Sequence, residues 1–189
     1  MIEIRRLCEE DIPEVLRVSL IELGEDYLDE DDFKDALVDE GQFCNVAVMD
    51  GKPVGFAICQ VFGPEKEKEM LHLPEGPEKD RILSMSRIGL LDSVSVDSSA
   101  KGHGIGTVMC ERCVEDMKDL GCGMVCAMAW KSVHGTTNIG GILKRMDLEE
   151  TIEIQGYWNT MVDSPEGHHC PICGAPCKCY GVFWRKLLQ

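Results

Sequence analysis

The 189-residue chain is predicted to form one mixed α/β domain, and three observations lead to this prediction. Its length is close to the usual size of a single domain. Segments that alternate apolar with charged residues, which is typical of strands, are interleaved along the chain with segments of helical spacing. Two apolar runs flank Asp50-Gly51, a pair that favours the tight turn of an antiparallel hairpin. We therefore expect helices and antiparallel strands together in one domain over residues 1–189.

The predicted elements follow the order β-α-α-β-β-β-α-β-α-β-β. Strands are expected at 2–7, in the two arms of the hairpin 45–62, and at 87–96, 122–130, 150–158 and 180–188. Helices are expected at 11–23, 31–39, 107–121 and 136–148. Asp11 is the predicted N-cap of the first helix, and Gly121 ends the third. Three prolines interrupt residues 63–86, which we interpret as a surface excursion with a single helical turn.

The charge of the chain opposes nucleic acid as a partner. The formal net charge is -15, whereas affinity for a phosphate backbone comes mainly from clustered Lys and Arg. Much of the excess lies in residues 22–40, where ten carboxylates and one lysine leave a net charge of -9. This segment is interpreted either as a solvated helix face or as a surface that attracts a cationic partner.

Cysteine usage and hydropathy predict a cytoplasmic protein without a membrane partner. Of the eleven cysteines, seven are scattered through ordinary globular sequence and are expected as buried thiols in a reducing compartment: Cys8, Cys44, Cys59, Cys110, Cys113, Cys122 and Cys126. No apolar run is long enough to span a bilayer, and the first residues mix charged with apolar positions, unlike a secretory signal.

The segment VDSSAKGHGIGT, residues 96–107, lies between a predicted strand and a predicted helix. Backbone N–H groups at a helix N-terminus favour an anion, and glycines let that anion approach the backbone closely. The spacing is that of neither a Walker loop nor a dinucleotide fingerprint. The sequence leaves two interpretations open, a plain surface turn and a phosphate-binding loop.

This segment resembles the acetyl-CoA-binding motif of the GNAT-type N-acetyltransferases. Lys101, Gly104 and Gly106 match the motif, with lysine where the family has arginine or glutamine. The element order and the opening IEIRRLCEEDIPEVL are similar to that family as well. The resemblance implies an α/β (α+β) fold with a mixed, mostly antiparallel central sheet and helices on both faces.

The resemblance also implies roles for particular residues. The loop would bind the CoA pyrophosphate through Lys101, Gly102, His103, Gly104, Ile105, Gly106 and Thr107. Backbone groups of Val94 and Val96 would pair with the pantetheine arm of acetyl-CoA. The acetyl group would pass directly to a primary amine, with Asp92 as the base. Asp92 has two other interpretations, a solvent-exposed carboxylate and a partner of Arg87. A cationic acceptor, either a small amine or a peptide, fits the acidic segment.

One departure from the family concerns the general acid. Leu143 stands where relatives carry the tyrosine that protonates the departing thiolate. Tyr157, Tyr180 or a water molecule would have to replace it, while simple packing is the alternative for both tyrosines. The loss also leaves open a catalytically silent acetyl-CoA sensor.

The segment GHHCPICGAPCKC, residues 167–179, resembles a zinc knuckle inserted in the closing hairpin. Cys170, Cys173, Cys177 and Cys179 are the predicted ligands of a structural Zn²⁺, and His168 or His169 is an alternative to one of them. A disulfide-stapled loop and an iron–sulfur site are the competing interpretations. The knuckle would act as a structural clip or, in a third function class, as a protein-interaction module.

Overall fold

A computed structural model describes residues 2–24 and 27–188. Within these residues seven strands are formed: β1 (Ile2–Arg6), β2 (Gln42–Met49), β3 (Lys52–Phe62), β4 (Ile88–Val96), β5 (Met124–Lys131), β6 (Glu149–Gln155) and β7 (Tyr180–Leu187). The same residues form six α-helices: α1 (Ile12–Glu22), α2 (Glu30–Val38), α3 (Glu67–Met70), α4 (Pro77–Leu83), α5 (Ile105–Asp119) and α6 (Gly140–Arg145). The predicted mixed α/β class, with mostly antiparallel strands, is confirmed.

The chain divides into two compact units. The first comprises residues 1–62 and 89–122, and the second comprises residues 63–88 and 123–189. The expectation of one domain over the whole chain stays a prediction.

The first unit is built on strands β1 to β4, which are neighbours in that order. The pairs β1–β2 and β2–β3 are antiparallel. The hairpin predicted around Asp50-Gly51 is present, and both residues adopt left-handed backbone conformations with φ of 52° and 80°. Helices α1 and α2 share a core with these strands, in which Phe33 and Phe56 meet edge to face at 5.1 Å.

Helix α5 packs tightly against β4. A Cβ at Gly89 would lie 2.5 Å from the sulfur of Met117, so the absence of a side chain there permits the close approach. The prediction for the scattered cysteines is confirmed for six of them, which are buried, while Cys8 is half-buried. This packing fixes the N-terminus of α5 beside the end of β4.

The second unit contains the antiparallel pairs β5–β7 and β6–β7. The surface excursion expected over residues 63–86 is corrected, because this segment forms α3 and α4 and buries Leu71, Leu73 and Ile82. The carboxylate of Glu67, itself buried, accepts a hydrogen bond from the Leu73 N–H at 2.9 Å and so satisfies a buried backbone group. The prolines therefore delimit short helices.

Three further expectations about elements need correction. The helix predicted at 136–148 is limited to α6, because Thr137 pairs with Lys131 across a turn that precedes it. The strand predicted at 150–158 ends at Gln155, since Gly156 turns the chain with φ of 69°. Asp11 occupies the N-cap position of α1, but its carboxylate makes no cap bond and instead accepts from Arg5 and the Cys8 N–H.

Candidate functional site

The glycine loop, defined here as residues 97–107, connects β4 to α5. Gly102 and Gly104 have φ of 85° and 74°, a conformation that glycine adopts without strain. Among the described residues, no protein group accepts a hydrogen bond from the N–H groups of residues 102–107. These donors and the positive end of the α5 dipole together provide an anion-binding site. The predicted strand-loop-helix arrangement is therefore present.

Carboxylates hold the first half of this loop in place. Asp97 accepts hydrogen bonds from the Ser99 N–H at 2.9 Å and from Arg17 Nη2 at 2.7 Å. The Ser99 hydroxyl also donates to Asp97. Together these hydrogen bonds, of which the one from the Ser99 side chain has the largest effect, hold the pKa of Asp97 well below its usual range. The Asp97 N–H donates to the Val54 carbonyl at 2.8 Å. The loop is thus tied both to β3 and to α1.

A second carboxylate, Glu22 at the end of α1, engages the loop itself. It accepts from the Ser98 N–H at 2.7 Å and forms an ion pair with the ammonium group of Lys101. The predicted phosphate-binding lysine therefore has an internal partner in this structure. Glu22 lies in the acidic run and carries no sequence signal that would have distinguished it.

The remaining predicted cofactor residues lie at or next to this loop. His103 places Nδ1 at 3.2 Å from the Ala100 carbonyl, whereas the Ile105 side chain is buried and anchors the start of α5. Val94 and Val96 are half-buried on β4. The contacts of these two residues with the pantetheine arm stay a prediction.

Asp92 projects from β4 into a polar group of side chains. Its carboxylate reaches solvent, yet surrounding protein atoms desolvate it and raise its pKa to about 6. A hydrogen bond from the Gln60 side chain acts in the opposite direction, and the negative charge of Asp32 adds to the increase. A carboxylate with this pKa is mostly ionised at pH 7 and holds a proton reversibly.

The two tyrosines proposed as substitute acids lie in the second unit. Tyr157 is buried, and its hydroxyl donates to the Leu71 carbonyl at 2.8 Å. A Cβ at Gly181 would lie 2.6 Å from the Tyr157 ring, so this glycine makes room for it. Tyr180 is half-buried, and its carbonyl accepts from Trp158 Nε1. These contacts fit packing roles, and the catalytic role of Tyr157 stays a prediction.

The four cysteines of residues 167–179 converge on one point. Their sulfur atoms all lie within 4.8 Å of one another, and three of the separations are 3.7 to 3.8 Å. A tetrahedral ion with Zn–S bonds of about 2.3 Å separates its sulfurs by about 3.8 Å. A disulfide would require about 2.05 Å. Among the described residues, this cluster holds the four thiols and neither His168 nor His169.

Groups around the cluster support the sulfurs. The Lys178 N–H donates to Cys173 Sγ at 3.1 Å and holds the pKa of this thiol below its usual value. Asn159 ties the loop together, because its side-chain oxygen accepts from the His168 and Cys177 N–H groups at 3.0 and 2.8 Å. Trp130 and Trp158 pack against the cysteines. The cluster thus has the supporting contacts expected around a metal site.

Comparison with known proteins identifies the family. The model of the acetyltransferase (GNAT) family matches residues 5–137. This match covers more than half of the chain and includes the glycine loop. The chain belongs to the GNAT family. No curated protein matches it significantly in sequence.

Solved structures support the same fold. The polyamine N-acetyltransferase of Drosophila melanogaster, described as forming N-acetylagmatine, has a TM-score of 0.68 at 14% identity and covers 100% of both chains. NAA60 of Arabidopsis thaliana in complex with acetyl-CoA has a TM-score of 0.70 at 13% identity, over 100% of this chain and 99% of that one. The ribosomal-protein-S18-alanine N-acetyltransferase of Escherichia coli has a TM-score of 0.66 at 14% identity, over 100% and 95%.

Membership of the GNAT family gives the chain the fold of acyl-CoA-dependent N-acetyltransferases. Leu143, which the sequence predicts at the position of the family tyrosine, is fully buried in α6 and has no proton to donate. None of the described helices has the length and apolar character needed to cross a membrane.

Two residues near Asp92 were not anticipated from the sequence. Gln60 lies near the end of an apolar strand, where a lone amide was the available signal. Tyr27 follows α1; its side chain hydrogen-bonds Ser93, and desolvation with the nearby charge of Asp92 raises its pKa. Both side chains belong to the surroundings of the candidate base.

Proposed function

We propose that the protein transfers the acetyl group of acetyl-CoA directly to a primary amine of a cationic acceptor. The observation that carries this proposal is the row of N–H donors from Gly102 to Thr107 at the start of α5, for which residues 2–24 and 27–188 provide no acceptor. Such a row suits the pyrophosphate of CoA, and it coincides with the family motif. Lys101 would add its charge to the phosphate once it leaves Glu22.

Asp92 is the proposed general base. The amine nitrogen attacks the thioester carbonyl carbon, the C–N bond forms, and the C–S bond breaks. Asp92 takes the proton released by the amine, and the CoA thiolate takes a proton from solvent. Because the pKa of Asp92 is raised to about 6, the base is ionised at neutral pH and still has useful proton affinity.

The acidic segment supports a cationic acceptor. Asp32 of α2 influences the pKa of Asp92, so the N-terminal end of this acidic helix lies close to the candidate base. Asp29 and Asp32 cap α2, whereas Asp31 and Asp35 are exposed, and Asp31 lies 3.8 Å from the ammonium nitrogen of Lys34. The similar structures include enzymes named for polyamine and for peptide acceptors, and both chemistries fit this charge.

A direct transfer assay tests the activity. Purified protein is mixed with acetyl-CoA and a panel of polyamines and amino-terminal peptides, and acetylated product is detected by mass spectrometry. Gly104→Glu is the inactive variant, and Gly51→Glu is its matched control, because both glycines have positive φ and open space around them. Product lost only in Gly104→Glu supports the proposal. Acetyl-CoA binding without product from any acceptor would contradict it and favour the sensor.

Charge neutralisation tests the acceptor class. We expect Asp31→Asn with Asp35→Asn to raise KM for a polyamine several-fold at low salt, an effect that 0.5 M NaCl should remove. Glu65→Gln with Glu69→Gln, two exposed carboxylates of the second unit, is the matched control. An equal KM in both double variants would refute electrostatic attraction by α2.

We further propose that Cys170, Cys173, Cys177 and Cys179 hold a structural Zn²⁺. The sulfur separations suit tetrahedral coordination, and four thiolates leave no open position for catalysis. The ion would hold together residues 167–179, which are inserted between β6 and β7. Its chemical contribution would be charge neutralisation of the thiolates.

A further inference from the structure

A row of polar side chains crosses three strands of the first unit and ends at Asp92. Gln42 of β2 and Gln60 of β3 are direct cross-strand partners, and Asp92 lies on β4. Gln60 Nε2 donates to Gln42 Oε1 at 2.7 Å, and Gln42 Nε2 donates to the Asp32 carbonyl at 2.8 Å. Strands β3 and β4 are neighbours in the sheet, and the Gln60 side chain lies close enough to the Asp92 carboxylate to lower its pKa.

The chemistry of these groups fixes the direction of every bond in the row. A backbone carbonyl only accepts, so Gln42 must turn its NH₂ group toward Asp32 and its oxygen toward Gln60. Gln60 must then present its own NH₂ group to Gln42. The second hydrogen of that NH₂ group is the donor available to the ionised Asp92, which only accepts. Neither amide can be reversed without losing a bond.

The surroundings of Asp92 make this donor important. Desolvation and the charge of Asp32 on α2 both favour the protonated form of Asp92. Tyr27, between α1 and α2, also senses the charge of Asp92 and bonds to Ser93. The Gln60 side chain acts in the opposite direction and favours the ionised carboxylate. A base with no such donor would stay protonated to a higher pH and would be free to rotate.

We propose that Gln60 is a positioning residue, which orients the Asp92 carboxylate, and that Gln42 links this orientation to the backbone of α2. The inference rests on the proposed function, in which Asp92 is the base. It adds a specific second residue and a direction of effect. Gln60 need not touch the amine or the thioester.

The first test measures Asp92 directly. The carboxyl carbon of Asp92 is followed by NMR through a pH titration of wild type, Gln60→Leu, Gln42→Leu and Gln155→Leu, an exposed strand glutamine in the second unit as control. Loss of a hydrogen bond to a charged group should raise the Asp92 midpoint by about one pH unit in Gln60→Leu. The increase should be smaller in Gln42→Leu and absent in Gln155→Leu. An Asp92 midpoint that Gln60→Leu leaves unchanged would overturn the inference.

The second test measures the reaction. The acid limb of kcat/KM against pH should move upward by the same amount in Gln60→Leu, with little change in acetyl-CoA affinity. If Gln60→Leu fails to fold, Gln60→Met keeps the length and the neutral charge of the side chain, removes the N–H donor and must also raise the midpoint. Wild type without transferase activity would refute the proposed function, and the NMR titration would still decide the role of Gln60. An acid limb that stays in place while the NMR midpoint moves would show that Asp92 is not the base and overturn the inference.

Discussion

The glycine loop and the cysteine cluster achieve their geometry by different means. In the glycine loop, Glu22 of α1 and Asp97 of the loop itself form ion pairs with basic side chains. They also accept hydrogen bonds from N–H groups of the loop. In the cluster, four sulfurs lie within 4.8 Å of one another. The glycine loop is thus held in place by contacts within the protein, whereas the cysteine cluster would be held by the proposed metal ion.

The difference has an energetic consequence. A preformed loop spends little free energy on ordering when acetyl-CoA binds, which favours affinity. Thiolates held together without a metal repel one another, so metal binding and folding of residues 167–179 should be coupled. Asn159 supplies hydrogen bonds to the cysteine loop but no charge. Acetyl-CoA binding at the glycine loop should therefore matter mainly for function, whereas metal binding at the cysteine cluster should matter mainly for stability.

Loss of the proposed metal should have a larger effect than any other change considered below. Cys170→Ser, or removal of zinc by a chelator, should lower the free energy of unfolding by about 4 kcal/mol or more, because the insertion loses its link. Tm should then fall by on the order of 10 °C. Differential scanning calorimetry, together with elemental analysis for one zinc per chain, measures both quantities.

Cys8→Ser is the control for this prediction, since Cys8 is a free thiol outside the cluster. Acetyl-CoA affinity should survive in Cys170→Ser at temperatures where the variant is folded. Protein purified without zinc or iron, and with a Tm that chelators do not change, would refute the metal site. Bound iron with a visible charge-transfer band would favour the iron–sulfur alternative.

An intermediate effect is expected from substitution of Asp97, whose contacts hold the glycine loop in its observed conformation. Asp97→Ala removes the acceptors of the Ser99 N–H and of Arg17, so the loop must be ordered by the ligand. Acetyl-CoA affinity should fall by about 10-fold, the value of one charge-assisted hydrogen bond. Isothermal titration calorimetry should show a larger entropic cost of binding. An unchanged affinity would mean that the contacts of Asp97 do not preform the loop.

The pH dependence of this contribution follows from its sign. The pKa of Asp97 is lowered in the folded protein, so its stabilisation is complete above the unfolded value near 4 and is lost as pH falls through the folded value. Between pH 5 and pH 8 the loop should therefore be insensitive to protonation of Asp97. The pH dependence of transfer in this range is expected to come from Asp92, whose pKa is raised to about 6.

Local patterns made much of this molecule predictable. The glycine motif and the four cysteines are each contained in about a dozen consecutive residues, so spacing alone indicates their geometry. The Asp50-Gly51 turn was predictable for the same reason. The N–H groups of a helix start and the separation of loop thiols are set by backbone conformations that short sequences specify.

Contacts between distant residues were not predictable in the same way. Glu22 is one of ten carboxylates in its segment, and nothing local selects it as the partner of Lys101. The environment of Tyr157 was obscured because its partner, Leu71, lies in a segment interpreted as a surface excursion. The Gln42–Gln60 pair depends on strand register, which the hairpin turn fixes only once the bulge between Ala47 and Val48 is known.

The smallest expected effect tests the balance inside the glycine loop. Glu22→Gln keeps an oxygen that accepts from Ser98 but removes the charge that holds Lys101. Lys101 then becomes available to the pyrophosphate, and one negative charge near the phosphates is gone. We expect acetyl-CoA to bind a few-fold tighter at low salt, with Tm lowered slightly because a single ion pair to the exposed Lys101 contributes on the order of 1 kcal/mol. Glu111→Gln, an exposed carboxylate on α5 with the same change in net charge, is the control. Weaker binding in Glu22→Gln would show that the charge of Glu22 orders the loop more than it competes with the ligand, and the loop would then depend on its ligand as the cysteine cluster does.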